Sequence, residues 1–325
     1  MDTGLRVLAG IEGRLPPEMA AKAEGDGVAK AGQDGTTLLT LGVLGGAFIS
    51  FGAMFSNVAL TGAEGVLPFG LARVIAGLVF SLGLIMVLVG GAQIFTGDVL
   101  MVMAWASGRL VSRRVLRAWG IVWVGNLVGA LGTALLVLLA GHHLLGNGQV
   151  GLTALRTAEA KAALPFDRAV ALGVLCNTLV CLAVWLSLSS RPPAHRAALA
   201  VLPVAAFVAA GFEHAVANMY FIGFGLMVKA AAPDAFWQAV GVAPAAFPHL
   251  GLAGYLHNLA AVTIGNVVGG AVFVASVYWL LYRRPRRAGT PEAVPEGRAA
   301  APSPRAEATA RSPSARQTRS DPAPG

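Results

Sequence analysis

Residues 125–129 read Gly125-Asn126-Leu127-Val128-Gly129, and 140 residues later the pattern returns as Gly265-Asn266-Val267-Val268-Gly269. Both copies lie inside apolar runs, and the number of such runs between them decides what the repeat means. A helix needs about 20 mostly apolar residues to cross a ~30 Å hydrocarbon core. Stretches that long without Asp, Glu, Lys or Arg are 35–63, 74–97, 118–141, 169–190 and 258–282. A sixth, 197–228, qualifies apart from Glu213 and His214 near its middle. The repeat thus recurs three spans on, an odd number, which predicts two halves inverted in the bilayer, as in transporters and channels with a midplane site. Glycines at this spacing also let helices pack closely. An asparagine at the same place in both copies asks for more than packing.

Composition supports a membrane protein. Of 325 residues, 56% are hydrophobic and only 12% charged, with mean hydropathy +0.67, against about a quarter charged in a soluble domain. A cytosolic enzyme is excluded on that ground. The net charge of +8 is concentrated in residues 283–325, where nine arginines face four acids, so the basic balance gives no argument for nucleic acid. Lys and Arg gather in the links after spans 2 and 4 and after span 6, which predicts both termini on the cytoplasmic side. No cleavable signal peptide is expected, since residues 1–35 carry acids throughout. Within them, residues 17–31 suit a short amphipathic helix on the membrane surface, against a partner, or simply solvated. Residues 284–325, rich in Ala, Pro, Ser and Arg, read as a disordered basic tail. The expected organisation is therefore 1–35 cytoplasmic segment, 36–283 channel domain, 284–325 tail. Cys176 and Cys181 read as buried apolar residues.

Two spans are interrupted by glycine and polar groups, one in each half: Gly90 to Leu100, and Ala209 to Met219. Non-helical backbone at membrane depth is tolerated only where protein buries it or it lines a water cavity. His214 sits in the second interruption, and an ionisable group at midplane is a functional candidate by default. Imidazole also exchanges protons near neutrality. Thr96 occupies the first interruption. Glu213 should face away from His214 if the segment is helical, which assigns Glu213 to holding the break or Asn266. His142, His143, His195 and His249 fall near span ends or links and read as solvated; His257 is ambiguous. No metal-ligand spacing occurs, nor a nucleophile elbow or P-loop, so neither metal, cofactor nor enzymatic chemistry is expected.

On these residues the sequence resembles the formate/nitrite transporter family, and its formate channel branch more than its nitrite branch. The match runs from about Leu15 to Tyr282. It is carried by Gly45 to Ser56, Phe95-Thr96-Gly97, Asn147-Gly148-Gln149, Cys181 to Ser187, Gly211 to Tyr220 and Val262 to Gly270. The resemblance implies an all-α, aquaporin-like inverted repeat of six transmembrane helices with helices 2 and 5 broken, assembled as a homopentamer in the bacterial inner membrane. It places the central pore histidine on His214 and its partner threonine on Thr96. Polar pore and loop-anchoring positions fall on Asn177, Glu213 and Asn266, constrictions on Phe80, Leu84, Ile94, Val180 and Phe207, and a vestibule lysine on Lys161. Departures from the pattern are Gln93 in place of a glutamate and a loop before helix 6 that is one residue short around His257 and Asn258.

The physics stands beside the name. A small anion must shed water to pass rings of Phe and Leu, and an unpaired charge there is prohibitively costly. Lys161 would gather the anion, and His214 would give a proton or hydrogen bond so that the species crossing is effectively the acid. The expected partners are formate, with nitrite, other monocarboxylates or hydrosulfide as rivals, together with protons and the lipid bilayer. The family also implies that the N-terminal segment docks a formate-metabolising enzyme. An aquaporin or glycerol-type channel is the alternative of a different class, and it lacks its two Asn-Pro-Ala caps here.

Overall fold

Helix ends in the computed structural model, which describes residues 13–285, follow charge, proline and glycine. Helix α1 spans Pro16–Ala31, with Pro16 at its first turn where no amide partner is needed. Then come α2 (Gly35–Leu60), capped by the Asp34 carboxylate on the Thr37 amide, and α3 (Phe69–Gly90). A four-residue gap precedes α4 (Phe95–Ala106), followed by α5 (Ser112–Leu139), α6 (Gln149–Ala162) and α7 (Phe166–Leu188). Helix α8 (Pro193–Ala209) is separated by a second gap from α9 (Ala215–Ala231). Short α10 (Asp234–Val240) leads to α11 (Leu252–Tyr282), which is π-helical over Gly269–Ser276. Five of these (α2, α3, α5, α7 and α11) are long and apolar enough to cross a membrane; α8 is apolar but shorter. No strand occurs among the described residues.

The glycines of the repeat set the helix crossings. A Cβ on Gly125 or Gly129 would lie 2.8 Å from Leu39 O or 2.0 Å from Val43 O, so α5 presses its backbone against α2. In the second half, a Cβ on Gly265 or Gly269 would meet Val170 O at 2.3 Å or Val174 O at 2.2 Å, and α11 presses against α7 in the same way. Small residues buy that approach, so both the packing reading of the glycines and a separate use for the asparagines hold.

Three expectations are corrected. Helix α1 neither floats nor faces solvent all round: Ala20 and Glu24 are fully buried against the chain's own body. Glu24 accepts from Ser107 and pairs with Arg283 at 2.8 Å, and Arg14 donates to Leu188 O at 2.8 Å. Span 2 starts earlier than the charge-free run 74–97, so Arg73, which that run leaves to the preceding link, lies inside α3. His257 and Asn258 belong to α11 rather than to the loop before it. The tail that the composition predicts to be disordered lies, from residue 286 on, outside the described residues, as do residues 1–12.

Candidate functional site

Each gap turns on a left-handed glycine. Gly91 has φ +79° and Gly211 φ +75°, a conformation that costs any L side chain about 1–2 kcal/mol. The extended residues that follow are pinned by the repeat asparagines. Asn126 accepts from the Phe95 amide (2.8 Å) and donates to Gly42 O (2.7 Å) and Gln93 O (3.0 Å). Asn266 accepts from the Ala215 amide (2.9 Å) and donates to Gly173 O (2.8 Å) and Glu213 O (3.0 Å). The Gln93 and Glu213 amides also bond Leu41 O and Leu172 O. One asparagine per half thereby satisfies the groups that the missing helical turn leaves orphaned.

The second gap ends at His214. Its Nδ1 accepts the Ala217 amide at 3.0 Å and so caps α9. That contact leaves the ring proton on Nε2, which lies 2.9 Å from Thr96 Oγ1. Nε2–H therefore donates to Thr96, whose own hydroxyl hydrogen has no other acceptor among the described residues. The Thr96 carbonyl is engaged separately, by Asn177 Nδ2 at 3.1 Å and the Cys181 thiol. Phe207 stacks on the imidazole (5.8 Å between centroids) and meets Phe80 edge-on at 5.7 Å. The pair thus holds a hydroxyl donor backed by an imidazole N–H, in apolar surroundings, with the Thr96 hydroxyl buried behind the His214 ring.

His214 lines a cavity of about 710 Å³ together with Glu213, Lys161, Phe80 and Phe207. Lys161 pairs with Glu213 at 2.7 Å and lies 5.4 Å from the Phe221 ring centroid. The other Glu213 oxygen accepts from Asn218 at 2.6 Å, and Asn218 bonds Asn258. Glu213 and His214 therefore share one cavity, contrary to the helical-face expectation. The chain is extended there, and helical spacing does not apply. It is the Glu213 carbonyl, not its carboxylate, that touches Asn266.

A second cavity, of about 230 Å³, is lined by Leu84, Ile94, Gln93, Asp98 and Lys30, and shares no lining residue with the first. Lys30 of α1 reaches the buried Asp98 at 2.7 Å, and Gln33 accepts from Gln93 at 2.5 Å.

The structure thus brings His214, Thr96, Phe80, Phe207, Glu213 and Lys161 together, with Leu84 and Ile94 on the other cavity. Thr96, Asn177, Asn266 and Val180 are buried behind these surfaces and line neither cavity; Asn177 donates to Asn266 O at 2.6 Å. Of the weaker histidines, His143 is buried against Phe236 instead of solvated, and His249 pairs with Glu159. Sequence reasoning missed Arg73, Lys30 and Asp98. A charge abutting the apolar run 74–97 is the only signal that Arg73 and Asp98 carried, and Lys30, in the polar N-terminal helix, carried none.

A family profile described as "Formate/nitrite transporter" matches residues 17–280. The chain belongs to this family. It is 46% identical over 271 residues to "Formate channel FocA" of Escherichia coli strain K12, covering 83% of this chain and 95% of that one. Identity to "Formate channel FocA" of Haemophilus influenzae is 38%, over 80% and 91% of the two chains. Among solved structures, "Pentameric formate channel with formate bound" superposes with TM-score 0.73 at 38% identity, covering 76% of this chain and 97% of that one. Family membership and the apolar helices make this formate/nitrite transporter a multi-pass membrane protein that transports and does not catalyse. The neutral-solute alternative draws no support from these relatives.

Proposed function

We propose that this transporter conducts formate, as a homopentamer with one pore per protomer, by way of the Thr96–His214 pair. The observation that carries the reading is the 2.9 Å contact between Nε2 of His214, which lines the large cavity with Phe80 and Phe207, and the Oγ1 of Thr96 buried behind it. The names of the relatives support formate and the pentamer. The family description keeps nitrite, a planar anion of similar size, as the second reading.

In this reading six spans cross the inner membrane as an inverted, aquaporin-like repeat. The second is α3 with α4 and the fifth is α8 with α9, each broken at its middle. Both termini are cytoplasmic. Residues 36–283 form the channel, 1–35 an N-terminal segment whose free face is available to a formate-metabolising enzyme, and 284–325 a tail. Lys161 draws the anion into the large cavity. Thr96, uncovered as the narrowing opens, then gives it a hydrogen bond backed by Nε2–H, which offsets part of the charge at the constrictions formed by Phe80, Phe207, Leu84 and Ile94, with Val180 packed behind them. Asn177, Glu213 and Asn266 keep the breaks in shape.

Net proton transfer needs one further event. Nε2 can release its proton without leaving an imidazolate only if Nδ1 takes one up, and a proton there displaces the Ala217 amide. Proton coupling would therefore loosen the first turn of α9.

Flux of formate, nitrite and lactate into proteoliposomes at several pH values tests the reading. Formate should pass fastest, and His214→Phe should abolish proton-coupled uptake. A wild-type protein that carries neither formate nor nitrite overturns the proposal; undiminished coupling in His214→Phe removes the histidine from it.

A further inference from the structure

Helix α8 ends where the candidate path narrows. Phe207 is in its last turn, and beyond Ala209 the chain leaves the helical path for His214. A helix C-terminus carries roughly half a negative charge on its unpaired carbonyls. Pointed at an anion in apolar surroundings, that end repels, and low dielectric strengthens the repulsion. A channel for anions has to counter it.

Arg73 of α3 does so in the structure. Its Nη2 donates to Val208 O at 2.5 Å and its Nε to Ala209 O at 3.2 Å. Ala209 O has no other partner among the described residues. Three of the five guanidinium N–H groups remain free of these bonds, and Arg73 lines the large cavity with Lys161 and His214. A Cβ on Gly211 would sit 3.4 Å from Nη2, so the cation lies against the chain reversal itself. The other half repeats the placement. Arg196, near the start of α8, lines the small cavity beside Leu88 and Gly91, where α3 ends. Each half-helix sends an arginine to the mouth in which the other terminates.

We propose that Arg73 is a selectivity-determining residue: its charge reverses the sign of the α8 C-terminus and makes the narrowing beside His214 acceptable to an anion. Unlike Lys161, whose ammonium is hydrogen-bonded to Glu213, Arg73 hydrogen-bonds only neutral carbonyls; it feels the Glu213 carboxylate across the cavity but is not in contact with it. The inference rests on the anion-channel reading above.

The test is reversal potential and formate flux in bilayers holding a potassium formate gradient. Arg73→Gln keeps hydrogen-bond donors but loses the charge. It should cut formate flux roughly tenfold, in line with the upper range of helix-end charge effects, and move the reversal potential away from the anion-selective value. Arg73→Lys should keep most of the selectivity. As a second arm, Arg73→Cys labelled with a trimethylammonium thiol reagent should regain anion selectivity, whereas a neutral methyl label should not. Wild-type flux and reversal potential in Arg73→Gln overturn the inference, as do equal effects of cationic and neutral labels. Loss of flux in Gln and Lys variants with unmoved reversal potentials also overturns it, since that outcome describes a structural cap. A wild type that passes neither formate nor nitrite removes the transport reading itself, a result distinct from all of these.

Discussion

Asn126 and Asn266 hold two different stretches of chain with the same three hydrogen bonds. Each accepts the amide that opens a helix, Phe95 or Ala215, and each donates to the carbonyl two residues earlier, Gln93 or Glu213. Their remaining N–H goes to Gly42 or Gly173, on the helix that crosses behind. Both side chains are fully buried, so water cannot substitute.

Replacing either asparagine with leucine strands one backbone amide and one non-helical carbonyl, Gln93 O or Glu213 O, and removes a second bond from the helical carbonyl of Gly42 or Gly173. Each orphaned group costs about 1–3 kcal/mol, so Asn126→Leu and Asn266→Leu should each lower stability by about 3 kcal/mol or more, read by thermal unfolding in detergent. Asn266→Leu should reduce flux the more, because it frees the segment carrying Glu213 and His214.

Lys161 and Glu213 form a pair with side chains only 17% and 4% exposed. Removing one partner of a buried pair costs about 3–5 kcal/mol, whereas removing both is far milder. Lys161→Met should therefore be less stable than the double variant Lys161→Met with Glu213→Gln. A double-mutant cycle of melting temperatures measures the coupling; additive losses would mean the contact is idle.

His214 caps α9 as well as facing Thr96, and the two roles separate by substitution. Asparagine is a good helix cap but does not titrate. His214→Asn should keep wild-type stability while losing proton-coupled uptake, and His214→Phe should lose both, with the cap worth about 1 kcal/mol. Stability and uptake assays on the two variants, side by side, decide.

Glu24 ties α1 to the body. Burial pushes its carboxyl up, but hydrogen bonds from Arg283 and Ser107 and the Arg283 charge outweigh that and hold it below the ordinary 4.5. A carboxyl lowered in the folded state contributes stability above its unfolded pKa, lost as pH falls through the folded value. Hydrogen exchange in α1 should thus be slow near neutrality and accelerate below about pH 4.5. In Glu24→Gln it should be faster at neutral pH and vary less across that window.

Much of this was legible in the residues. Helix ends fall inside the two glycine-rich stretches around Gly91 and Gly211, because glycine punctuation is local. Asn126 and Asn266 announced themselves by recurring in register. What stayed hidden depends on neighbours far along the chain: Glu24 meets Arg283 and Lys30 meets Asp98 only once the fold exists. Glu213 was misjudged because a helical period was extended across extended backbone, and Arg73 because a charge-free window discards the charged residue at its edge.

The two cavities have no lining residue in common, and on the proposed conduction path that separation sets where the membrane voltage falls. If the proposed path runs from one cavity to the other, electrolyte entering both would carry the bulk potential inward and the membrane voltage would drop across the short stretch around Thr96, His214 and the Phe80–Phe207 pair. A unit charge crossing there exchanges about 2.3 kcal/mol with the field for every 100 mV. Formate travelling as the anion feels that drive in full, while formic acid is blind to it. The voltage slope of the current therefore reports which protonation state passes the imidazole.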